Sequence, residues 1–92
     1  MIRTFKGKNT EKLFRDMRVA RFHLFENAAR KKLLYLHAAE TLQEINAYPG
    51  NRLEALHGDR KGQYSIRINQ QWRICFKWQN GAAFEVEIVD YH

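Results

Sequence analysis

The chain has 92 residues, 45% of them apolar, which suffices for one compact domain with a single small core. We treat residues 1–92 as one domain and exclude a multidomain enzyme. The longest uninterrupted apolar stretch, Leu33 to Leu36, is far shorter than the roughly 20 residues of a membrane helix. With no apolar signal region near the N-terminus, we expect a cytoplasmic protein without a membrane partner. Because Cys75 is the single cysteine, an internal disulfide and a cysteine-based zinc site are excluded.

Charge gives the first indication of a partner. Sixteen Lys and Arg against ten Asp and Glu give a net charge of +6, and the sequence pI is about 9.8. The positive charge is segregated, since residues 1–32 carry +7 and residues 52–77 carry +4. Such a field attracts polyanions. A basic domain without a nucleic-acid partner has the same composition, so charge alone leaves both interpretations open.

The N-terminal third predicts a short strand and a short helix. Apolar and polar residues alternate over residues 2–5, which indicates a strand that ends before Gly7. Asn9 or Thr10 then offers an N-cap for the helix. The apolar residues of that helix stand at helical spacing: Leu13, Phe14 and Met17.

A longer helix is predicted over residues 26–48. Apolar residues recur there at three- and four-residue steps. Pro49 ends the pattern, because proline disfavours helical geometry in the residue before it, and Gly50 follows. The stretch from residue 50 to residue 62 is predicted to be a loop.

Three alternating runs in the C-terminal half predict an antiparallel β-meander. They cover residues 64–68, 72–78 and 84–88. Asn80-Gly81 is a strong hairpin signal, since a type I′ turn requires positive φ at both central residues. We therefore expect an α+β fold with two N-terminal helices packed on one face of a small, mostly antiparallel sheet. That face takes the apolar set Ile66, Ile68, Ile74, Phe76, Val86 and Ile88.

The opposite face of the sheet is expected to stay open, because a packed helix would bury its charges. By alternation it carries Arg67, Arg73, Lys77, Glu85, Glu87 and Tyr91. The two arginines stand on neighbouring strands, either side of a tight turn, and form a cationic spot suited to a phosphate. Cys75 falls on the same face and is expected to be inert, since no feature of the sequence indicates its activation.

The loop, the strands and the C-terminus together resemble a known family. The residues that carry the resemblance are, in order, Leu56-His57-Gly58-Asp59-Arg60-Lys61-Gly62, Tyr64-Ser65-Ile66-Arg67, Trp72-Arg73-Ile74 and Asp90-Tyr91-His92. Over essentially its whole length the sequence is similar to the HigB toxins of the RelE superfamily. The resemblance implies a RelE-like, microbial-ribonuclease-like fold and a bacterial toxin that enters the ribosomal A site and cuts mRNA. It also implies a cognate antitoxin, usually carrying a helix-turn-helix.

The chemistry of RNA cleavage assigns roles to the matching residues. Attack by the ribose 2′-OH needs proton removal, stabilisation of the phosphate charge and protonation of the leaving 5′ oxygen, and it needs no metal or other cofactor. Arg67 and Arg73 suit the phosphate, because a guanidinium stays charged and binds two oxygens at once. His92 suits proton transfer. Asp90 can orient His92, and Tyr91 can stack on a base or donate to phosphate.

The loop departs from the family pattern. Many relatives carry a lysine immediately before the Gly-Asp pair and a histidine three residues earlier, where this chain has His57 and Glu54. His57 is either a second proton-transfer residue or an ordinary loop residue, and Glu54 is either a carboxylate base or an exposed charge. If RNA binds, the cations Lys61, Arg60 and Arg52 are predicted to contact its backbone, and the alternative for each of them is a solvated surface charge.

Other conspicuous residues have simpler interpretations. His23 and His37 are expected to be structural or surface residues, and Trp72 and Trp78 to belong to the core. The basic run of residues 30–32 is either a ribosomal RNA contact or the exposed face of a helix. Two further functions stay open: a nucleic-acid-binding module that does not cleave, and a protein-interaction domain whose basic surface meets an acidic partner.

Overall fold

The computed structural model describes residues 1–90 and shows three α-helices beside a four-stranded antiparallel sheet. The helices are α1 (Lys8–Phe14), α2 (Glu26–Ala38) and α3 (Leu42–Ala47), and a 3-10 helix (Ala20–Phe25) leads into α2. The strands are β1 (Glu54–Ala55), β2 (Gln63–Arg67), β3 (Trp72–Gln79) and β4 (Ala82–Asp90), in the order β1-β2-β3-β4. The α+β class is confirmed. None of the helices in the described part of the chain is long and apolar enough to cross a membrane.

The core lies between the helices and one face of the sheet. The six apolar residues expected on that face are all buried: Ile66, Ile68, Ile74, Phe76, Val86 and Ile88. The helical side contributes Leu13, Phe22, Leu33, Leu36 and Ile45. The period-two pattern of the strands therefore predicts the core face correctly, and the α-helices of residues 1–90 contribute their buried side chains to this side of the sheet.

The N-terminal segment runs along the free edge of β4. Ile2 and Phe5 form parallel bridges with Ala83 and Val86, and the backbone N–H of Arg3 donates to the carbonyl of Ala83 at 2.8 Å. The extended conformation predicted for residues 2–5 is present, as isolated bridges rather than as a full strand. This segment forms hydrogen bonds with backbone groups at the edge of β4 that would otherwise face solvent.

Helix α1 differs from its prediction at both ends. It begins directly after Gly7, which has φ 88°, so neither Asn9 nor Thr10 is the N-cap. Thr10 is buried, and its Oγ1 accepts from a backbone N–H of β4. The chain leaves the helix through Asp16 at φ 64°. Met17 therefore stands outside the core with 51% of its surface exposed, and its predicted place in the apolar stripe is wrong.

The single helix predicted over residues 26–48 is wrong, because the chain breaks between α2 and α3. Ala39 is extended, at φ −70° and ψ 140°. Thr41 then caps α3 by accepting from the backbone N–H of Glu44 at 3.1 Å. The Glu44 carboxylate accepts in turn from the backbone N–H of Glu40 at 2.7 Å. These two hydrogen bonds satisfy backbone N–H groups at the start of α3. The change of chain direction before α3 brings Ile45 into the core, where it has no exposed surface.

The stretch predicted as a loop contains a strand. Strand β1 pairs Glu54 with Ser65 and Ala55 with Tyr64 of β2, and a 3-10 turn (Gly58–Arg60) follows it. The sheet therefore has one strand more than the predicted meander. This strand places Glu54 beside the open face.

Strand β4 contains a bulge, whereas the hairpin before it is as predicted. Asn80 and Gly81 have φ values of 51° and 76°, as a type I′ turn requires. The register shifts between Cys75 and Lys77, and Glu85 adopts φ 53°. The extra residue breaks the alternation predicted for residues 84–88, so Phe84 pairs with Lys77 instead of continuing the core face.

Candidate active site

The two sheet arginines stand directly opposite each other. Arg67 ends β2 and pairs in register with Arg73 of β3, and the Cβ atoms of such cross-strand partners lie about 4.5–5.5 Å apart. The Arg67 Nε donates to the carbonyl of Asn69 at 3.1 Å, which fixes the direction of the guanidinium. The structure thus brings both predicted phosphate-binding residues to the open face on rigid strands rather than on a loop.

Glu54 joins this pair through strand β1. Its Oε1 lies 3.6 Å from NH1 of Arg73, and the side chains of the two residues are 53% and 17% exposed, respectively. The partly buried cation and the more exposed carboxylate form an ion pair at the rim of the arginine pair. A carboxylate in this position can accept a proton from a hydroxyl group while the guanidinium holds an anion.

The floor of the open face is closed by small side chains and a second ion pair. Ser65 and Cys75 pair across β2 and β3 and are both fully buried. Arg60 lies 3.4 Å from the carboxylate of Glu87 and donates to Oε1 of Gln63 at 3.2 Å. Arg60 therefore has a structural ion pair besides any contact with RNA. Burial raises the pKa of the Cys75 thiol, which keeps it protonated and agrees with the inert role predicted for it.

The remaining candidates of the loop are exposed. His57 directly precedes the 3-10 turn, and its side chain, like those of Lys61 and Arg52, faces solvent. Arg52 holds a positive φ of 46°. Their exposure suits contacts with a large ligand, and their roles in catalysis or RNA binding stay predictions.

Of the three C-terminal candidates, only Asp90 belongs to the residues that the structure describes. Asp90 pairs with Trp72, one position beyond the pair of Arg73 with Val89, so register places Asp90 on the opposite face from Arg73. Its carboxylate accepts from the side-chain amide of Gln71 at 3.0 Å. Tyr91 and His92 lie outside the described residues, so their roles stay predictions.

Arg30, the first residue of the basic run, has a structural role. It donates to the backbone carbonyls of Leu13 and Met17 at 3.3 and 3.2 Å, and it forms ion pairs with Asp16 and Glu26. These bonds satisfy carbonyl groups where the chain leaves α1. The ambiguity of residues 30–32 is thereby resolved for Arg30, which ties α1 to α2.

The histidines of the helical half and the tryptophans also have structural surroundings. His37 Nδ1 accepts from the backbone N–H of Ile2 at 3.1 Å. His23 Nδ1 lies 3.7 Å from the carboxylate of Glu26, three residues further along the chain. Trp72 and Trp78 pack against the core, as predicted. Among residues 1–90, no three His, Cys, Asp or Glu side chains come together as a group that could hold a metal ion.

The sequence is similar to those of known toxins. The family model for the RelE-like toxin of the type II toxin–antitoxin system HigB matches residues 3–92. Toxin HigB-1 of Vibrio cholerae is 41% identical over 81 residues, covering 86% of this chain and 85% of that protein. Endoribonuclease HigB of Proteus vulgaris is 31% identical over 93 aligned positions, covering 100% of each chain.

Solved structures agree on the fold. A chain from the heterotetrameric YoeB-YefM toxin–antitoxin complex of Staphylococcus aureus superimposes with a TM-score of 0.59 at 18% identity, covering 100% of this chain and 98% of that one. At this identity the likeness concerns the fold alone. The family match, by contrast, spans nearly the whole sequence. The chain therefore belongs to the HigB family of RelE-like toxins of type II toxin–antitoxin systems.

Proposed function

We propose that this toxin is an endoribonuclease that enters the ribosomal A site and cuts mRNA there. The observation that carries the proposal is the cross-strand pair of Arg67 and Arg73 on the sheet face opposite the apolar face that packs against the α-helices of residues 1–90. The name of the Proteus vulgaris relative, an endoribonuclease, supports the activity. The complex formed by the Staphylococcus aureus neighbour supports a cognate antitoxin as partner, which we expect to carry a helix-turn-helix.

The scissile phosphate lies between the two guanidiniums in the proposed mechanism. The ribose 2′-oxygen attacks phosphorus, the bond from phosphorus to the 5′ oxygen breaks, and a cyclic phosphate and a free 5′-hydroxyl result. Arg67 and Arg73 stabilise the extra negative charge that the phosphate oxygens acquire in the transition state. The reaction consumes no cofactor, since the nucleophile belongs to the RNA itself.

Proton transfer requires an acceptor at the 2′-OH and a donor at the leaving oxygen. We assign the first role to Glu54, and the distance of 3.6 Å between its carboxylate and the guanidinium of Arg73 supports this assignment. His92 is our proposal for the second role, with Tyr91 against the base or phosphate and Asp90 supporting the tail. His57 is the alternative proton-transfer residue. Lys61, Arg60 and Arg52 then contact phosphates on either side.

The size of the open face supports dependence on the ribosome. The whole body measures 31 × 26 × 25 Å, so one sheet face contacts only a few nucleotides of a flexible message. A free single strand would have to lose its conformational freedom at the moment of cleavage. A ribosome that already holds the message in an extended conformation removes this entropic cost before cleavage begins. For a poorly positioned nucleophile, that cost is a large share of the activation barrier.

The test is translation of a defined message followed by primer extension across it. We expect a cut in the A-site codon with wild-type toxin, and no cut of the same message without ribosomes. Arg73→Gln should lower the cleavage rate about 10²–10³-fold, the usual cost of losing one group that stabilises a developing charge. Lys77→Gln is the matched control, since Lys77 is a cation of the same strand and face that is already paired with Glu85.

Two results would contradict the proposal. Retained ribosome binding without any A-site cut would make the chain a non-cleaving RNA-binding module. Unchanged growth arrest and RNA affinity after alanine replacement of both Arg67 and Arg73 would make it a protein-interaction domain. Glu54→Gln, His57→Gln and His92→Gln, compared across pH, assign the acid and the base, and each true participant should lose at least about tenfold.

A further inference from the structure

A groove outside the proposed active site combines aromatic rings with lysines. It lies between α2 and the turn after α3, has a volume of about 350 Å³, and is lined by Ala28, Lys31, Lys32, Tyr35, Tyr48 and Pro49. The rings of Tyr35 and Tyr48 are stacked, with centroids 3.9 Å apart and planes inclined by 8°. Tyr48 is 38% exposed. A stacked pair that lines a groove and is partly exposed offers aromatic surface to a planar ligand.

Two lysines line the groove beside these rings, and the charge of a third cation, Arg67, acts on one of them. Lys31 Nζ lies 5.8 Å from the centre of the Tyr35 ring, and Lys32 Nζ donates to the side-chain oxygen of the fully buried Asn51 at 2.7 Å. The pKa of Lys32 is lowered by burial and further by the charges of Arg67 and Lys31. Within residues 1–90, no ion pair joins any of these three cations to a carboxylate.

Arg67 connects the groove to the arginine pair. It stands opposite Arg73 in the sheet, and its charge acts on Lys32, which lines the groove. Its backbone N–H also donates to the carbonyl of Asn51, the residue that holds Lys32 in place. Arg67 is therefore the cation between Arg73 on one side and Lys32 of the groove on the other.

We propose that the groove holds a neighbouring nucleotide of the same RNA strand whose phosphate lies between Arg67 and Arg73, with its base against the tyrosines and its phosphate against Lys31 and Lys32. This inference rests on the proposed function. Aromatic rings that receive bases, flanked by cations that receive phosphates, are the usual arrangement for single-stranded RNA. An acidic peptide would use the lysines and leave the flat aromatic surface without a matching group.

The charges make an anion favourable at this point. Lys31, Lys32 and Arg67 repel one another, and each lacks a neutralising carboxylate in the described part of the chain. A bound phosphate relieves that repulsion as well as adding its own attraction. The site therefore strengthens binding of a longer strand and has no part in binding a fragment confined to the arginine pair.

The experiment measures binding of uncleavable single strands to the full chain. A pentanucleotide with 2′-O-methyl riboses carries phosphates and bases beyond those bound at the arginine pair, whereas the single phosphate of a dinucleotide is taken up by that pair. Tyr48→Ala should weaken the pentanucleotide at least about fivefold, since stacking of one base on one aromatic side chain contributes at least that much. It should leave the dinucleotide unaffected, and Tyr48→Phe should retain most of the wild-type affinity.

A second variant tests the charges independently of the rings. Lys31→Gln should reduce the slope of log affinity against log salt concentration by about 0.7, the value for one phosphate contact with a single strand. Lys12→Gln on α1 is the control, because Lys12 is an exposed lysine outside the groove, and its slope should equal that of wild type. Lys31 is also exposed, so we expect Lys31→Gln to fold normally, and thermal unfolding of each variant verifies this.

The outcomes separate this inference from the proposed function. If Arg73→Gln weakens both oligonucleotides while Tyr48→Ala and Lys31→Gln change neither affinity nor salt slope, the groove proposal is overturned and the active site stands. If Arg73→Gln weakens neither, the proposed function itself fails. Binding of the same variants to empty ribosomes and to the antitoxin is measured as well. If Tyr48→Ala and Lys31→Gln weaken binding only to empty ribosomes, ribosomal RNA occupies the groove, and if they weaken binding only to the antitoxin, an acidic protein segment occupies it. Either of these results also overturns the proposal.

Discussion

Buried Asn51 offers a direct test of how the helices and the sheet are joined beside the site. The side chain is fully buried. Its amide nitrogen donates to the carbonyl of Ile45 at 2.9 Å, and its oxygen accepts from Lys32 Nζ at 2.7 Å. Its backbone carbonyl accepts from the N–H of Arg67. One residue therefore links α3, α2 and the end of β2, and Asn51→Ala removes only the two side-chain bonds.

The expected cost follows from those two bonds. The neutral bond to Ile45 contributes about 0.5–1.5 kcal/mol, and the bond from the charged Lys32 about 1.5–3 kcal/mol. Lys32 is only half-buried, so water replaces part of the second bond, and we expect a loss of about 2–3 kcal/mol in the free energy of unfolding. For a domain of this size each kcal/mol lowers the melting temperature by roughly 4–8 °C, so the variant should melt about 10–20 °C lower.

Urea and thermal unfolding measure this loss, with Asn46→Ala as the matched control. Asn46 is exposed on α3, so its replacement should change stability by less than about 0.5 kcal/mol. A double-mutant cycle with Lys32→Met isolates the bond between Lys32 and Asn51. A loss below about 1 kcal/mol for Asn51→Ala, or a coupling free energy near zero in the cycle, would refute the reasoning that this buried amide holds the elements together.

Three further predictions concern other parts of the fold. Cys75 should react with a thiol reagent only on unfolding, because it is fully buried and burial raises its pKa; labelling rates with and without urea test this. Lys77 lowers the pKa of Glu85 below 4.5, so the stability difference between wild type and Glu85→Gln should be present at pH 6 and fade as pH falls below 4.5, as read from urea unfolding. Thr10→Val should cost about 1–3 kcal/mol, because it leaves a buried N–H of β4 without an acceptor, and the exposed Thr4→Val less than about 1 kcal/mol.

The arginine pair and the core face were predictable because they depend on local rules. Side chains alternate along a strand with a period of two, and the positive φ of Asn80 and Gly81 fixes the hairpin between β3 and β4. Arg67 and Arg73 each stand three residues from Gln70, in the short turn between β2 and β3, so they become neighbours once that turn forms. None of these inferences requires a contact between distant parts of the chain.

The features that the sequence did not predict depend on weak or distant signals. Strand β1 has only two residues, which is too few to show the alternation of apolar and polar residues that predicts a strand. The proximity of Glu54 to Arg73 therefore could not be predicted from the sequence. The bulge requires Glu85 to adopt a positive φ that its residue type does not favour. The break before α3 did carry a signal, since Thr41 and Glu44 have the spacing of a capping box, but the apolar pattern continues across it.

The distribution of acidic residues on β4 explains why phosphate should bind at one end of the open face. Lys77 pairs with Glu85, and Arg60 pairs with Glu87, so two positive charges of this face are neutralised from β4. The residue of β4 opposite Arg73 is Val89, which has no charge. A carboxylate that pairs with Arg73 comes from the opposite edge of the sheet, where Glu54 is half-exposed. We therefore expect phosphate to bind where β2 and β3 meet, because Arg67 and Arg73 stand side by side there and β4 places an apolar residue next to them.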